Sequence, residues 1–201
     1  MEGDRSDVAG FWARFEGRAT DGFDPLLHLG KVGVVNQTTM LATDTQAIAD
    51  RIKQAVDRNG QGEFANTRDT LCYATNDNQS ATLGALEAGG ADLALVVGGY
   101  NSSNTSHLVE LCEKKLPTFF VRNELEWKSD GVHHFNIHSG EMEVTPQPFP
   151  VISGDEVPTV LLTSGASCPD ASVERVLSKV LAHYGGRDVD VVLTEFEKRQ
   201  P

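Results

Sequence analysis

The residue types best suited to chemistry sit in three short polar turns: Asn36-Gln37-Thr38-Thr39, Asn101-Ser102-Ser103-Asn104 and Ser164-Gly165-Ala166-Ser167. Their small hydroxyl and amide side chains donate neutral hydrogen bonds, and the hydroxyls rotate to follow an oxyanion. Each turn follows a short apolar run and precedes a stretch of helical periodicity. Turns of this kind close strand-to-helix units, where helix N-termini present unpaired N–H groups and the positive end of a dipole. In an open parallel sheet they lie outside the carboxyl ends of the strands, where ligands bind. A shared site for a phosphate-like anion is the chemical reading. The plainer one is that Thr43, Asn104 and Ser167 are helix caps, a common use of such residues.

The thiols and imidazoles add less. Three scattered cysteines do not make an even disulfide framework and read as reduced intracellular thiols. Cys72 opens a polar turn, a place where a thiolate can meet a metal or substrate, although a lone cysteine is more often a small buried residue. Cys112, in Leu108-Val109-Glu110-Leu111-Cys112, reads as core filler. Cys168 falls at a helix start, where a dipole could lower its pKa; a helix-start residue of no special reactivity is the favoured reading, and no histidine stands in an evident partnering position for a thiol enzyme. His133, His134 and His138 lack a cysteine or carboxylate at ligand spacing and read as surface strand residues. Gly98-Gly99 lacks the glycine spacing of a dinucleotide loop.

The elements that must position these turns follow from periodicity. A helix is expected around Val8–Phe15, then a buried strand at Val32-Gly33-Val34-Val35, then a helix carrying Ile48, Ile52 and Val56 behind a Thr43/Gln46 capping box. Residues 58–68 are polar and read as a linker. A second unit opens at Thr70-Leu71-Cys72-Tyr73, turns at Thr75-Asn76-Asp77-Asn78 and runs as a helix to about Glu87. Leu93-Ala94-Leu95-Val96-Val97 is a fully apolar strand, and Pro117–Val121, Thr159–Thr163 and Val189–Leu193 are further strand candidates. Helices are expected through Leu108 and Leu111, and through Val173, Val176, Leu177 and Val180, with short antiparallel pieces or a loop over 128–157. Strands alternating with helices imply an α/β fold of parallel βαβ units.

Composition bounds the partners. Seventeen Lys and Arg against 29 Asp and Glu give a net charge of −12, which argues against a nucleic-acid or anionic-membrane surface as main partner. No apolar run reaches the ~18 residues of a membrane span, and the start MEGDRSDVAG has no export pattern. A cytoplasmic protein is expected.

Four long segments then carry a resemblance: Gly33-Val34-Val35-Asn36-Gln37-Thr38-Thr39-Met40-Leu41, Thr70 through Gln79, Val96 through Thr105, and Thr163 through Asp170. In this order they resemble the C-terminal part of the 4-hydroxy-3-methylbut-2-enyl diphosphate reductase (LytB) family over roughly residues 20–182. The resemblance implies three α/β subdomains around a [4Fe–4S] cluster held by three cysteines, and a reductase that removes the substrate's allylic hydroxyl to give isopentenyl and dimethylallyl diphosphate. It implies that Cys72 is a cluster ligand, that Ser102, Ser103, Asn104 and Ser167 hold the diphosphate, and that Thr38 and Thr39 are the threonine pair near the hydroxyl, Thr38 serving the proton relay and Thr39 the substrate. Residues 1–60 would then be the remainder of the second subdomain and 61–201 the third, with electrons arriving from a ferredoxin or flavodoxin. The family's Phe-Cys-x-Gly, Ala-Thr-Cys-Pro and His-x-Glu segments do not occur here, and Cys112 and Cys168 stand in no matching segment. One matching thiolate does not hold a cluster that wants three or four, so this chain alone is expected to be incompetent without the missing part, in cis or in trans. The alternative of another class is a non-catalytic α/β module that binds a diphosphate or other small anion.

Overall fold

The protein is described from a computed structural model over residues 7–59, 62–65, 73–151, 158–186 and 188–198. The chain forms two compact units, one of residues 1–37 and 43–70, the other of residues 38–42 and 71–201. Cys72 lies outside the described residues.

In the first unit, α1 (Val8–Phe15) starts on Asp7, whose carboxylate accepts from the Gly10 N–H at 2.7 Å. The helix places Phe11 against Phe15 and Phe23, with Trp12 edge-on to Phe11 and Phe23. A short helix α2 (Pro25–His28) follows, capped by Asp24 with proline in its first turn. Strand β1 (Lys31–Val32), helix α3 (Ala42–Asn59) and strand β2 (Glu63–Phe64) complete the set. β1 and β2 pair in parallel, and Lys31 Nζ meets Glu63 Oε1 at 2.7 Å across them.

Two expectations change here. The buried strand over 32–35 is reduced to Lys31–Val32, and Val35 is 76% exposed, because its partner strand supplies only two residues. The stretch 58–68 is more than a linker, since Glu63 and Phe64 form that partner.

The second unit is built on β3 (Leu93–Val97), buried at every position. Helix α4 (Tyr73–Ala88) precedes it, and α5 (Ser103–Glu113) leads from it to β4 (Thr118–Val121). After β5 (Trp127–Lys128), β6 (Gly131–Asn136) and β7 (Glu141–Thr145), which form an antiparallel sheet, come β8 (Val160–Ser164), α6 (Asp170–His183) and α7 (Val189–Glu197). The parallel sheet has the order β4-β3-β8. Period-two alternation divides β3 between two cores. Ala94 and Val96 pack with Leu41, Leu86, Leu108, Val109 and Phe120, while Leu93, Leu95 and Val97 pack with Val121, Val132, Phe149, Val176 and Val180. Burial on both faces explains the unbroken apolar run.

The expected strand at Val189–Leu193 is instead the start of α7. β-Branched residues favour strands, but the Asp188 side chain accepts from the Asp190 N–H at 2.8 Å and caps a helical turn, and tertiary context overrides a weak propensity. The expected turn at 75–78 is helical, inside the first two turns of α4.

Candidate functional site

The register of the parallel sheet puts three strand ends at one level. Val97 is opposite Val121 on one side and Ser164 on the other. The ladder continues one residue further, with Gly98 N–H bonding Val121 C=O and Gly165 N–H bonding Val97 C=O, both at 3.0 Å. The chain leaves β3 toward β4 on one side while β8 lies on the other, and such a switch in direction opens a crevice at the carboxyl ends. A cleft of about 440 Å³ lies there, lined by Gly98, Ser102, Arg122, Ser167, Ser172 and Arg175 among others.

Ser102 is the N-cap of α5 in extended conformation, its Oγ accepting from the Thr105 N–H at 3.4 Å. Ser103, exposed, is the first helical residue. Asn104 is 4% exposed, and both polar atoms of its amide are buried without a partner. The expectation of Asn104 as a cap is thus corrected: Ser102, two residues earlier, takes the capping bond and leaves the Asn104 amide unspent. A buried polar group without a partner costs about 1–3 kcal/mol, and the Asn104 amide, in the first turn of α5, is left in that state.

Ser167 is exposed and lines the same cleft as Ser102. It is not the cap of α6 either. The turn closes by the Cys168 N–H to Gly165 C=O bond at 2.8 Å, and Pro169 holds the cap position with no side-chain bond. The turns are pressed together at glycines. A Cβ on Gly98 would stand 2.7 Å from Thr105 Oγ1, and one on Gly165 would collide with that same oxygen and stand 3.7 Å from Ser102 Oγ. Only glycine permits this approach.

Thr38 is exposed and Thr39 half-buried in the segment that belongs to this unit. That segment is fixed by Gln79, 2% exposed, whose Nε2 donates to Met40 C=O at 3.1 Å and whose Oε1 accepts from the Ala42 N–H at 3.0 Å. Gln79 therefore satisfies the first N–H of α3, and Thr43, expected as the cap, lies inside the helix. Next to Gln79, Asn78 donates to Ser164 C=O at 2.9 Å, so one turn of α4 is bonded both to the threonine segment and to the end of β8. The structure brings Ser102 and Ser167 to one cleft; Ser103, Asn104, Thr38 and Thr39 are outside its lining.

The other expected ligands disperse. Cys112 is fully buried, and burial, helped by Glu113, pushes its thiol up to about 11. Burial and then Asp170 also push the Cys168 thiol up, against the lowering that a helix start could give. His133 pairs with Asp130 at 2.9 Å, His138 with Glu113 at 2.8 Å, and His134 bonds Thr145 Oγ1 at 2.9 Å. Among the described residues no three His, Cys, Asp or Glu side chains come together as a metal site. No helix of the described residues is long and apolar enough to cross a membrane.

Sequence reasoning missed Arg122 and Arg175. Arg122 directly follows β4, and its guanidinium lies over the Tyr100 ring, 4.6 Å from the centroid. Arg175 Nε meets Glu124 Oε1 at 3.0 Å and its NH2 group bonds Ser172 Oγ at 3.2 Å. The signal that finds Arg122 is its place one residue past a parallel strand; Arg175 sits on α6 with nothing in its neighbours to single it out.

Comparison with known proteins bears on the same segments. A family profile described as LytB protein matches residues 12–181. The chain is 38% identical over 192 residues to the chloroplastic 4-hydroxy-3-methylbut-2-enyl diphosphate reductase of Botryococcus braunii, covering 88% of this chain and 37% of that one. To the reductase of the same name from Gloeobacter violaceus it is 38% identical over 185 residues, covering 89% of this chain and 43% of the other. A solved structure of the E-1-hydroxy-2-methyl-but-2-enyl-4-diphosphate reductase from Plasmodium falciparum aligns with 75% of this chain and 39% of its own, at 23% identity and a TM-score of 0.49. The chain thus spans about two fifths of the length of the curated relatives it matches.

Proposed function

The chain belongs to the LytB protein family, and from that premise we propose that its second unit is the diphosphate-binding part of a 4-hydroxy-3-methylbut-2-enyl diphosphate reductase, in a pathway that makes isoprenoid diphosphates. The observation that carries this reading is the cleft at the carboxyl ends of the parallel strands that Ser102 and Ser167 share, with the unpartnered amide of Asn104 two residues from Ser102 in support. Ser102, Ser103, Asn104 and Ser167 hold the diphosphate in this reading, with the N-terminus of α5 adding unpaired N–H groups. Thr39 and Thr38 stand toward the hydroxyl end, Thr38 passing a proton. In this reading residues 1–60 are the remainder of the family's second subdomain and 61–201 its third.

The residues present do not fit a [4Fe–4S] cluster by themselves. Such a cluster takes thiolates from at least three cysteines in the family pattern, whereas Cys112 is sealed in the core and Cys168 stands in no matching segment. Cys72 is the one thiol we assign as a ligand, so the chemistry of this chain's own side chains is to bind and orient the diphosphate. Reduction then requires thiolates from other residues and electrons from a small redox protein such as a ferredoxin or flavodoxin. The free thiols of Cys112 and Cys168 suit a cytoplasmic setting. The sealed Cys112, and Cys168 outside any matching segment, also favour, as a second reading, a module that binds the diphosphate without turning it over.

Calorimetry with inorganic pyrophosphate tests the shared core of both readings. Binding is expected, with Asn104→Ala weakening it about tenfold, the loss of one strong hydrogen bond to a charged group. No heat at millimolar pyrophosphate overturns it. Anaerobic reconstitution with iron and sulfide separates the two readings: this chain alone is expected to show no stoichiometric cluster absorption, and the reductase reading further requires such absorption, with turnover, once the missing thiolates are supplied.

A further inference from the structure

The cleft at the carboxyl ends of β3, β4 and β8 contains two cations that the diphosphate reading leaves unused. We propose that Arg122 and Arg175 form its cationic wall and hold the phosphoryl end of the ligand opposite Ser102 and Ser167; this rests on the diphosphate reading above.

Three observations lead there. Both arginines line the same cleft as the two serines, although one follows β4 and the other lies on α6. Both guanidinium groups are held in place. Arg122 lies over the Tyr100 ring, whose hydroxyl donates to Glu126 at 3.1 Å, and a cation–π contact of this kind uses none of the guanidinium N–H donors that an oxyanion would take. Arg175 is fixed by Glu124 and Ser172 on one side. A guanidinium already ordered loses less freedom when it takes up a phosphate fork. The charge is also local: in a protein of net charge −12, two arginines against the single carboxylate of Glu124 leave the cleft lining positive.

Glu124 makes the inference sharper. Its carboxyl is held below the usual carboxylate range, first by its own backbone N–H and then by Arg175, so it is ionised and cancels part of the Arg175 charge. An arriving phosphoryl group competes with it for that guanidinium.

Pyrophosphate calorimetry on the full chain at several salt concentrations tests the inference. Arg122→Gln and Arg175→Gln are each expected to weaken binding about tenfold and to flatten its salt dependence, since each removes one screened charge contact. Ser167→Ala is expected to weaken binding without changing the salt slope. Glu124→Gln is expected to tighten it severalfold, a gain that a damaged fold does not produce. Wild-type affinity in both arginine variants, with Ser167→Ala still weakened, overturns the cationic wall and leaves the diphosphate reading standing. Absence of binding by the unaltered chain overturns both.

Discussion

At the residue scale, the site depends on what is absent from Gly98 and Gly165 as much as on what Ser102 and Ser167 supply. Thr105 is fully buried, and its hydroxyl occupies the space a side chain would need at either glycine. Gly165→Ala therefore drives a methyl group into Thr105 Oγ1, and overpacking of this kind costs about 1–3 kcal/mol. The expected outcome is a lower denaturant midpoint for Gly165→Ala and partial recovery in the double variant with Thr105→Ala, which removes the opposing oxygen. Destabilisations that simply add, with no recovery, would refute the contact. The Thr105 hydroxyl also has no partner. Thr105→Val, of the same shape, removes an unsatisfied buried group and is expected to raise the same midpoint by up to about 1 kcal/mol in stability. Neither glycine was legible as a contact point, because nothing in the local sequence states which side chain will arrive from α5.

At the scale of elements, legibility tracks how local the deciding interaction is. β3 was legible because burial on both faces writes itself as five consecutive apolar residues. The helix at Val189–Glu197 was not, since Val189, Val191 and Val192 carry a strand composition while one capping bond from Asp188 sets the turn. Sequence alone puts Asn104 at the cap of α5, where the structure has Ser102, and the difference leaves the Asn104 amide without a partner. The placement of Thr38 and Thr39 rests on Gln79, whose bonds to Met40 and Ala42 join residues 39 and 37 positions apart, a separation that no periodicity reports. Gln79→Leu keeps the volume but leaves the Ala42 N–H and Met40 C=O without that partner, at a cost of about 1–3 kcal/mol. Faster amide exchange at Ala42 is expected, with α5 unaffected; unchanged protection at Ala42 would show that the segment is held by something else.

At the scale of the whole molecule, acidity and pH stability separate. The net charge of −12 excludes little about the cleft, whose lining is locally cationic. One pH response belongs to His134. It is 8% exposed on β6, edge-on to Phe119 at 5.0 Å and bonded to Thr145, with Glu143 opposite and His133 adjacent. Burial holds its pKa below the ordinary 6.5; Glu143 pulls upward and His133 adds a smaller push down. Because the folded pKa lies below the unfolded one, the unfolded chain binds the extra proton first. The contribution to stability is complete above about pH 6.5 and is lost as pH falls toward the folded value. The thermal midpoint of the unaltered protein should therefore drop between pH 7 and pH 5 more steeply than that of His134→Asn, whose side chain does not titrate. The comparison isolates one imidazole, since the carboxylates, ordinarily near pH 4, are common to both proteins. Parallel curves for the two would mean that β6 opens to solvent at His134 before the parallel sheet unfolds, and that the antiparallel sheet is not part of the same cooperative unit as β3.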